Sequence, residues 1–236
     1  MSIALPKLRR LRYHEKKALR RDSMKKQELP ADGNRLGYLF YGPGGQAQEP
    51  LPMLVYLHGT DGCGANPARL LEIESLPQYL ESGRIHLKNA ALLAPQCPAG
   101  SNWAEQATRV MELVKAITAA ERIDPARIAL TGASLGGMGT FSLGIAYPSA
   151  FSCLVPVCGA VDPERCAALT GQPVRIFHGE NDTGMGFSVL DASRIIDEAG
   201  GDSRVFLLPG EGHEIRWVYA APEFGLLDWM LAQTRA

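Results

Sequence analysis

Residues 127 to 137, Arg-Ile-Ala-Leu-Thr-Gly-Ala-Ser-Leu-Gly-Gly, set the fold: an apolar run halts at Gly132, Ser134 stands between small residues, and Gly136 and Gly137 open a helix-like stretch. A strand that turns this sharply into a helix forces the serine into a strained backbone conformation. A side chain at either flanking glycine, Gly132 or Gly136, would collide with the neighbouring strand or helix. The Ser134 hydroxyl then projects from the turn at a helix N-terminus. There the free N–H of Leu135 can stabilise a developing oxyanion.

Outward from this turn, the chain past Pro30 alternates strand-like and helix-like segments without an internal repeat. That pattern predicts one α/β domain, a mostly parallel sheet of about seven or eight strands with helices on both faces. Strands are expected near 36–41, 52–57, 90–95, 127–131, 153–158, 174–178 and 204–208, and helices near 68–82, 105–121, 135–146, 187–199 and 222–234. Asp124-Pro125 and Asp162-Pro163 are turn or helix-start signals, and Gly200-Gly201 ends a helix. The short connections leave no room for a large lid domain. The segment 96–104, Gln-Cys-Pro-Ala-Gly-Ser-Asn-Trp-Ala, falls in a loop at the C-terminal edge of the sheet, where such folds bind ligands.

The 236 residues, 46% of them hydrophobic, suffice for a full core. Charge is unevenly spread. Residues 1–30 hold ten Lys and Arg against three acids, and 31–236 hold fourteen against twenty-two. The first segment is read as a basic N-terminal extension lying on an acidic body. Without interleaved aromatics or a long apolar face, no nucleic-acid partner is expected. No apolar run reaches the length of a signal-peptide core or a membrane span, so a soluble cytoplasmic protein is expected. Cys63, Cys97, Cys153, Cys158 and Cys166 are odd in number and lack zinc-site spacing, so reduced, mostly buried thiols and no metal are expected. Cys63 lies in a loop close to the chemistry. Composition leaves the oligomeric state open.

A serine hydroxyl is a weak nucleophile at neutral pH and needs a base, with an acid to orient that base. Of His14, His58, His86, His178 and His213, only His213 follows the last strand, in the glycine-rich loop Gly-Glu-Gly-His-Glu. His178 ends an apolar strand and is read as packed there, and His58 as a residue that fixes its loop. Asp182 follows the strand ending at Gly179, giving the chain order Ser, Asp, His. Asp162 is the rival acid, although its Asp-Pro-Glu-Arg context suits a helix N-cap. A rival trio would be Ser134, Asp162 and His178, and Glu180 is the less able to reach. The loop after Leu57, His-Gly-Thr-Asp-Gly-Cys-Gly, supplies a second oxyanion donor, assigned to the N–H of Thr60.

Leu57-His-Gly, Thr131-Gly-Ala-Ser-Leu-Gly-Gly-Met-Gly-Thr, Phe177-His-Gly-Glu-Asn-Asp-Thr and Gly210-Glu-Gly-His, in that order, resemble the serine α/β-hydrolases. The nearest branch is that of lidless esterases related to polyhydroxybutyrate depolymerases, feruloyl esterases and predicted peptidases. Its Ala-Pro-Gln-Cys-Pro and Trp segment is echoed at residues 94–98 and Trp103. The resemblance spans roughly residues 36 to 235. It implies an α/β-hydrolase fold with Ser134 as nucleophile, Asp182 as acid and His213 as base, and no cofactor. The expected partner is a small-molecule ester, bearing a short or aromatic acyl group held near Trp103, Met185, Phe187 and Trp217. A peptidase, a thioesterase or acyltransferase using the same residues, and a non-catalytic binding protein on the same fold are the alternatives. One departure stands out: where that branch often has glycine two positions beyond His-Gly, this chain has Asp61, expected to point to solvent.

Overall fold

The computed structural model describes residues 24–33, 35–42 and 49–235. Among these residues, eight strands form a single sheet in the order β1-β2-β4-β3-β5-β6-β7-β8. They are β1 (Lys25–Leu29), β2 (Tyr38–Gly42), β3 (Leu51–Leu57), β4 (Ala91–Pro95), β5 (Ile123–Ala133), β6 (Leu154–Val157), β7 (Val174–Gly179) and β8 (Ser203–Leu208). β2 runs antiparallel to both β1 and β4, and from β4 across to β8 every pairing is parallel. The helices are α1 (Leu76–Glu81), α2 (Ala107–Ala120), α3 (Leu135–Ala146), α4 (Ser188–Glu198) and α5 (Leu226–Ala232).

Both faces of the sheet are covered, which is why its central strands read as unbroken apolar runs. In β3, Met53, Val55 and Leu57 face one apolar layer while Leu54 and Tyr56 face the other, as the two-residue period of a strand requires. The first layer is closed by Val110, Leu113 and Ile117 of α2, Phe141 and Leu143 of α3, and Val189 and Ile196 of α4. The second is closed by Leu76 and Tyr79 of α1 and by Leu226, Leu227 and Met230 of α5.

Three features differ from the sequence expectation. β1 lies within the segment read as an extension, so among the described residues the sheet begins at Lys25 and not after residue 30; residues 1–23 of that segment lie outside the described residues. Its Lys-Lys-Gln-Glu-Leu sequence carries little hydrophobic signal because it is an edge strand. Lys26 pairs with Glu28 and Glu81, and Gln27 donates to Glu121. The helix expected over 68–82 is instead a 3₁₀ segment at Pro67–Leu71 followed by the short α1, whose N-cap Ser75 accepts from the N–H of Gln78. Asp124-Pro125 neither ends β5 nor starts a helix. Ile123 pairs with Leu51 and Ile128 with Met53, so the intervening residues bulge out, with Asp124 accepting from the N–H of Ala126. Asp162, as its Asp-Pro-Glu-Arg context suggested, is an N-cap: it accepts from the N–H of Glu164 at the start of a 3₁₀ segment, Pro163–Gly171.

Candidate active site

The parallel strands end along one edge of the sheet, and the loops that leave β3, β5, β7 and β8 carry Thr60, Ser134, Asp182 and His213 respectively. Ser134 has φ 57° and ψ −118°, a conformation that costs about 1–3 kcal/mol for a residue with a side chain. Its backbone is held there by two bonds: its N–H donates to Val157 O at 3.0 Å, and its carbonyl accepts from Met138 N at 3.0 Å. The glycines make the turn possible. A methyl on Gly136 would lie 1.8 Å from the carbonyl oxygen of Leu57, and one on Gly132 would lie 2.4 Å from that of Gly136. The close approach of α3 to the end of β3 also sets the Thr60 loop beside the elbow.

His213 Nε2 lies 2.8 Å from Ser134 Oγ, and His213 Nδ1 lies 2.7 Å from Asp182 Oδ2. With Nδ1–H donating to the carboxylate, Nε2 presents its lone pair to the serine hydroxyl. The Asp182 side chain is 3% exposed and that of His213 is 34% exposed, so the acid is buried behind an imidazole that meets solvent. The second Asp182 oxygen, Oδ1, accepts from the N–H of Met185 at 3.3 Å. The competing trio does not come together: Asp162 is engaged as a cap, and His178 is wholly buried with Phe187 packed on its ring at 5.7 Å.

Leu135 is the first residue of α3 and Thr60 the first of a 3₁₀ turn, Thr60–Gly62, so neither N–H has an acceptor within its own turn. The Thr60 loop is fixed from below by His58, whose Nδ1–H donates to Gly59 O at 2.6 Å while Nε2 accepts from the N–H of Cys97 at 2.9 Å. Burial first, opposed by the Gly59 bond, pushes the His58 pKa down to about 4, so the ring is neutral and its tautomer is set by these two bonds. Gln96 adds two more ties, donating to Gly62 O and Asn66 O at 2.9 Å each. The Ala-Pro-Gln-Cys-Pro segment therefore serves as a brace for the loop above it.

Trp103 is corrected. It is 1% exposed, donates its indole N–H to His58 O at 3.0 Å and packs edge-on to the His58 ring, which makes it a buried support and removes it from the substrate-facing surface. Trp217 is half-buried, with one side against Phe224. Met185 is half-buried beside Asp182, and Phe187 is 40% exposed at the start of α4. Met138, one turn into α3 from Ser134, is exposed as well and was not singled out from the sequence.

Asp61 also has a partner the sequence reading lacked. Its carboxylate is partly exposed but paired with Arg216, three residues beyond His213, at 3.1 Å. An arginine inside Ile-Arg-Trp-Val-Tyr-Ala was the available signal, because a charge within an apolar run needs a buried counter-charge. Burial alone would lower the Arg216 pKa, but Tyr56, Asp61, Glu214 and Cys158 together raise it. The five cysteines are free thiols, four of them buried and Cys63 half-buried.

Comparison with known proteins agrees with this architecture. Residues 36–183 match the family model described as Esterase PHB depolymerase. A search of curated proteins gives no match at a significant level. Among solved structures, a thermostable esterase superposes with TM-score 0.71 at 21% identity, covering 89% of this chain and 63% of that one. This chain thus spans less than two thirds of that esterase. An S-formylglutathione hydrolase from Agrobacterium tumefaciens gives TM-score 0.67 at 15% identity, over 89% of this chain and 95% of that one. A feruloyl esterase module from Clostridium thermocellum gives 0.64 at 11% identity, over 85% and 87%. Likenesses at these identities speak for the fold, whereas the family match covers more than half of the chain. The chain belongs to the Esterase PHB depolymerase family and has the α/β-hydrolase fold.

Proposed function

We propose that this protein is a serine hydrolase that cleaves carboxylic esters through an acyl-enzyme on Ser134. The observation that carries the reading is the unbroken relay of short contacts from Asp182 through His213 to Ser134 Oγ, 2.7 Å and then 2.8 Å. In the first step His213 Nε2 takes the Ser134 proton as Oγ attacks the ester carbonyl. The N–H groups of Leu135 and Thr60 receive the oxyanion. His213 then gives its proton to the departing alcohol, and water, activated by the same imidazole, releases the acid. Asp182 holds the ring in the required tautomer and stabilises the imidazolium that forms.

The substrate class we infer is esters of short or aromatic acids at an open site. The reading rests on the exposed or half-buried Phe187, Met138 and Met185, which offer apolar surface on the elbow and acid loops. Trp217 is retained at most as a flank of this surface, since Phe224 covers part of its ring. A fluorophosphonate probe tests the assignment: covalent capture of the wild type, mapped to Ser134 and lost in Ser134→Ala, is the expected result. A chain that remains unlabelled while folded contradicts it.

A further inference from the structure

A carboxylate beside a site that stabilises developing negative charge works against the reaction unless something answers it. Asp61 directly follows Thr60 and is such a group. Arg216 meets it with both prongs of the guanidinium, Nη1 at 3.1 Å from Oδ2 and Nη2 donating to Oδ1 at 3.2 Å, from a side chain only 9% exposed. A methyl on Gly59 would lie 2.6 Å from Arg216 Nη2, 2.9 Å from Asp61 Oδ1 and 3.5 Å from Ala133 O. The ion pair therefore sits on the bare α-carbon of Gly59, in the angle between the oxyanion loop and the residue that precedes the nucleophile. Two further contacts anchor it. Arg69 Nε donates to Asp61 O at 2.7 Å, and Arg216 Nη1 reaches Glu214, the neighbour of His213, at 3.4 Å.

We infer that Arg216 is a positioning residue for acyl transfer: it neutralises the Asp61 carboxylate next to the oxyanion donors and ties their loop to the loop that bears His213. The inference rests on the roles proposed above for Ser134, Asp182 and His213. If Arg216 matters because Asp61 is charged, the damage from removing it depends on whether that charge remains.

The test compares Arg216→Gln, Asp61→Asn, the double variant and Arg216→Lys for ester turnover, alongside thermal melts and fluorophosphonate labelling. Arg216→Gln, which leaves a lone carboxylate beside the oxyanion, is expected to lose about thirtyfold in kcat with KM changed by no more than about threefold. Asp61→Asn is expected to lose only a few-fold, and the double variant to regain about tenfold over Arg216→Gln although it has no ion pair at all. A double variant no faster than Arg216→Gln, or an Arg216→Gln enzyme as fast as wild type, overturns the inference. If Arg216→Gln does not fold, Arg216→Lys decides: it keeps the charge and is expected within about fivefold of wild type, and a loss beyond about thirtyfold in a folded protein overturns the inference. Wild type that is neither labelled nor active overturns the hydrolase reading and this inference with it. Labelled, active wild type with unimpaired Arg216→Gln overturns this inference alone.

Discussion

At the residue scale, the site assigns unequal costs to its parts. In the proposed mechanism Ser134→Ala and His213→Ala each remove a group that bonds to or shuttles a proton for the reacting carbonyl, and both are expected to abolish measurable ester turnover while leaving the melting temperature close to wild type. Asp182→Asn presents an amide to His213 Nδ1 and favours the wrong tautomer, so kcat is expected to fall by about three to four orders of magnitude. Asp162→Asn, altered at a cap 3.2 Å from the Glu164 N–H, is expected to change turnover by less than about twofold. Steady-state kinetics on the three acid-site and base-site variants checks the set, and a mild Asp182→Asn beside a damaging Asp162→Asn would reverse the acid assignment. Gly136→Ala belongs to a different class. Its added methyl meets the Leu57 carbonyl at 1.8 Å with backbone on both sides, so the variant is expected to be destabilised by more than about 3 kcal/mol in urea titration, or not to accumulate as folded protein.

At the scale of the elements, what the sequence made legible follows physical signal strength. β3, β4 and β6 are apolar on both faces and stood out, β7 was legible from its Val, Ile and Phe despite Arg175 and His178, and α2 to α4 match their expected spans within two residues. The turn at Ser134 was readable because backbone contact leaves no choice but glycine at two fixed positions. Invisible were the features whose logic is tertiary. β1 is recruited by pairing with β2, and the Asp124–Arg127 bulge is set by register against β3. Trp103, an aromatic on a loop near the edge, gave no local sign that it lies beneath His58 and not beside a ligand. Arg216 and Asp61 are 155 residues apart in the chain, too far for any local pattern to pair them. The role of β1 is testable. β2 is buried along its whole length, so a chain beginning at Leu36 would bare its hydrogen-bonding edge. That chain is expected to self-associate in sedimentation or size-exclusion measurements and to unfold at lower urea than the full chain. A monomeric truncation of undiminished stability would show that β1 is dispensable.

At the scale of the whole molecule, burial of neutral imidazoles links stability to pH. His58 has its pKa lowered from 6.5 to about 4, chiefly by burial, and burial lowers that of His178 as well. A group held below its unfolded value binds fewer protons when folded. The unfolded chain gains that advantage as pH falls from about 6.5 towards 4, and stability is lost on the acid side. His58 alone accounts for about 3 kcal/mol of this loss at the lower end. Melting temperature is therefore expected to drop between pH 7 and pH 4.5, with a shallower slope in His58→Asn, and equal slopes in the two proteins would contradict the linkage. No helix among the described residues is long and apolar enough to cross a membrane. The sheet brings four loop residues from four strands to one edge, where, in the proposed mechanism, a hydroxyl, an imidazole and a carboxylate act as one unit. The most direct test is to quench the enzyme in acid during turnover of p-nitrophenyl acetate and locate the trapped acyl group by peptide mass spectrometry. One acetyl group per chain is expected, on Ser134 and absent from Ser134→Ala; an acyl group found on another residue, or hydrolysis that persists in Ser134→Ala, would show that Ser134 is not the nucleophile.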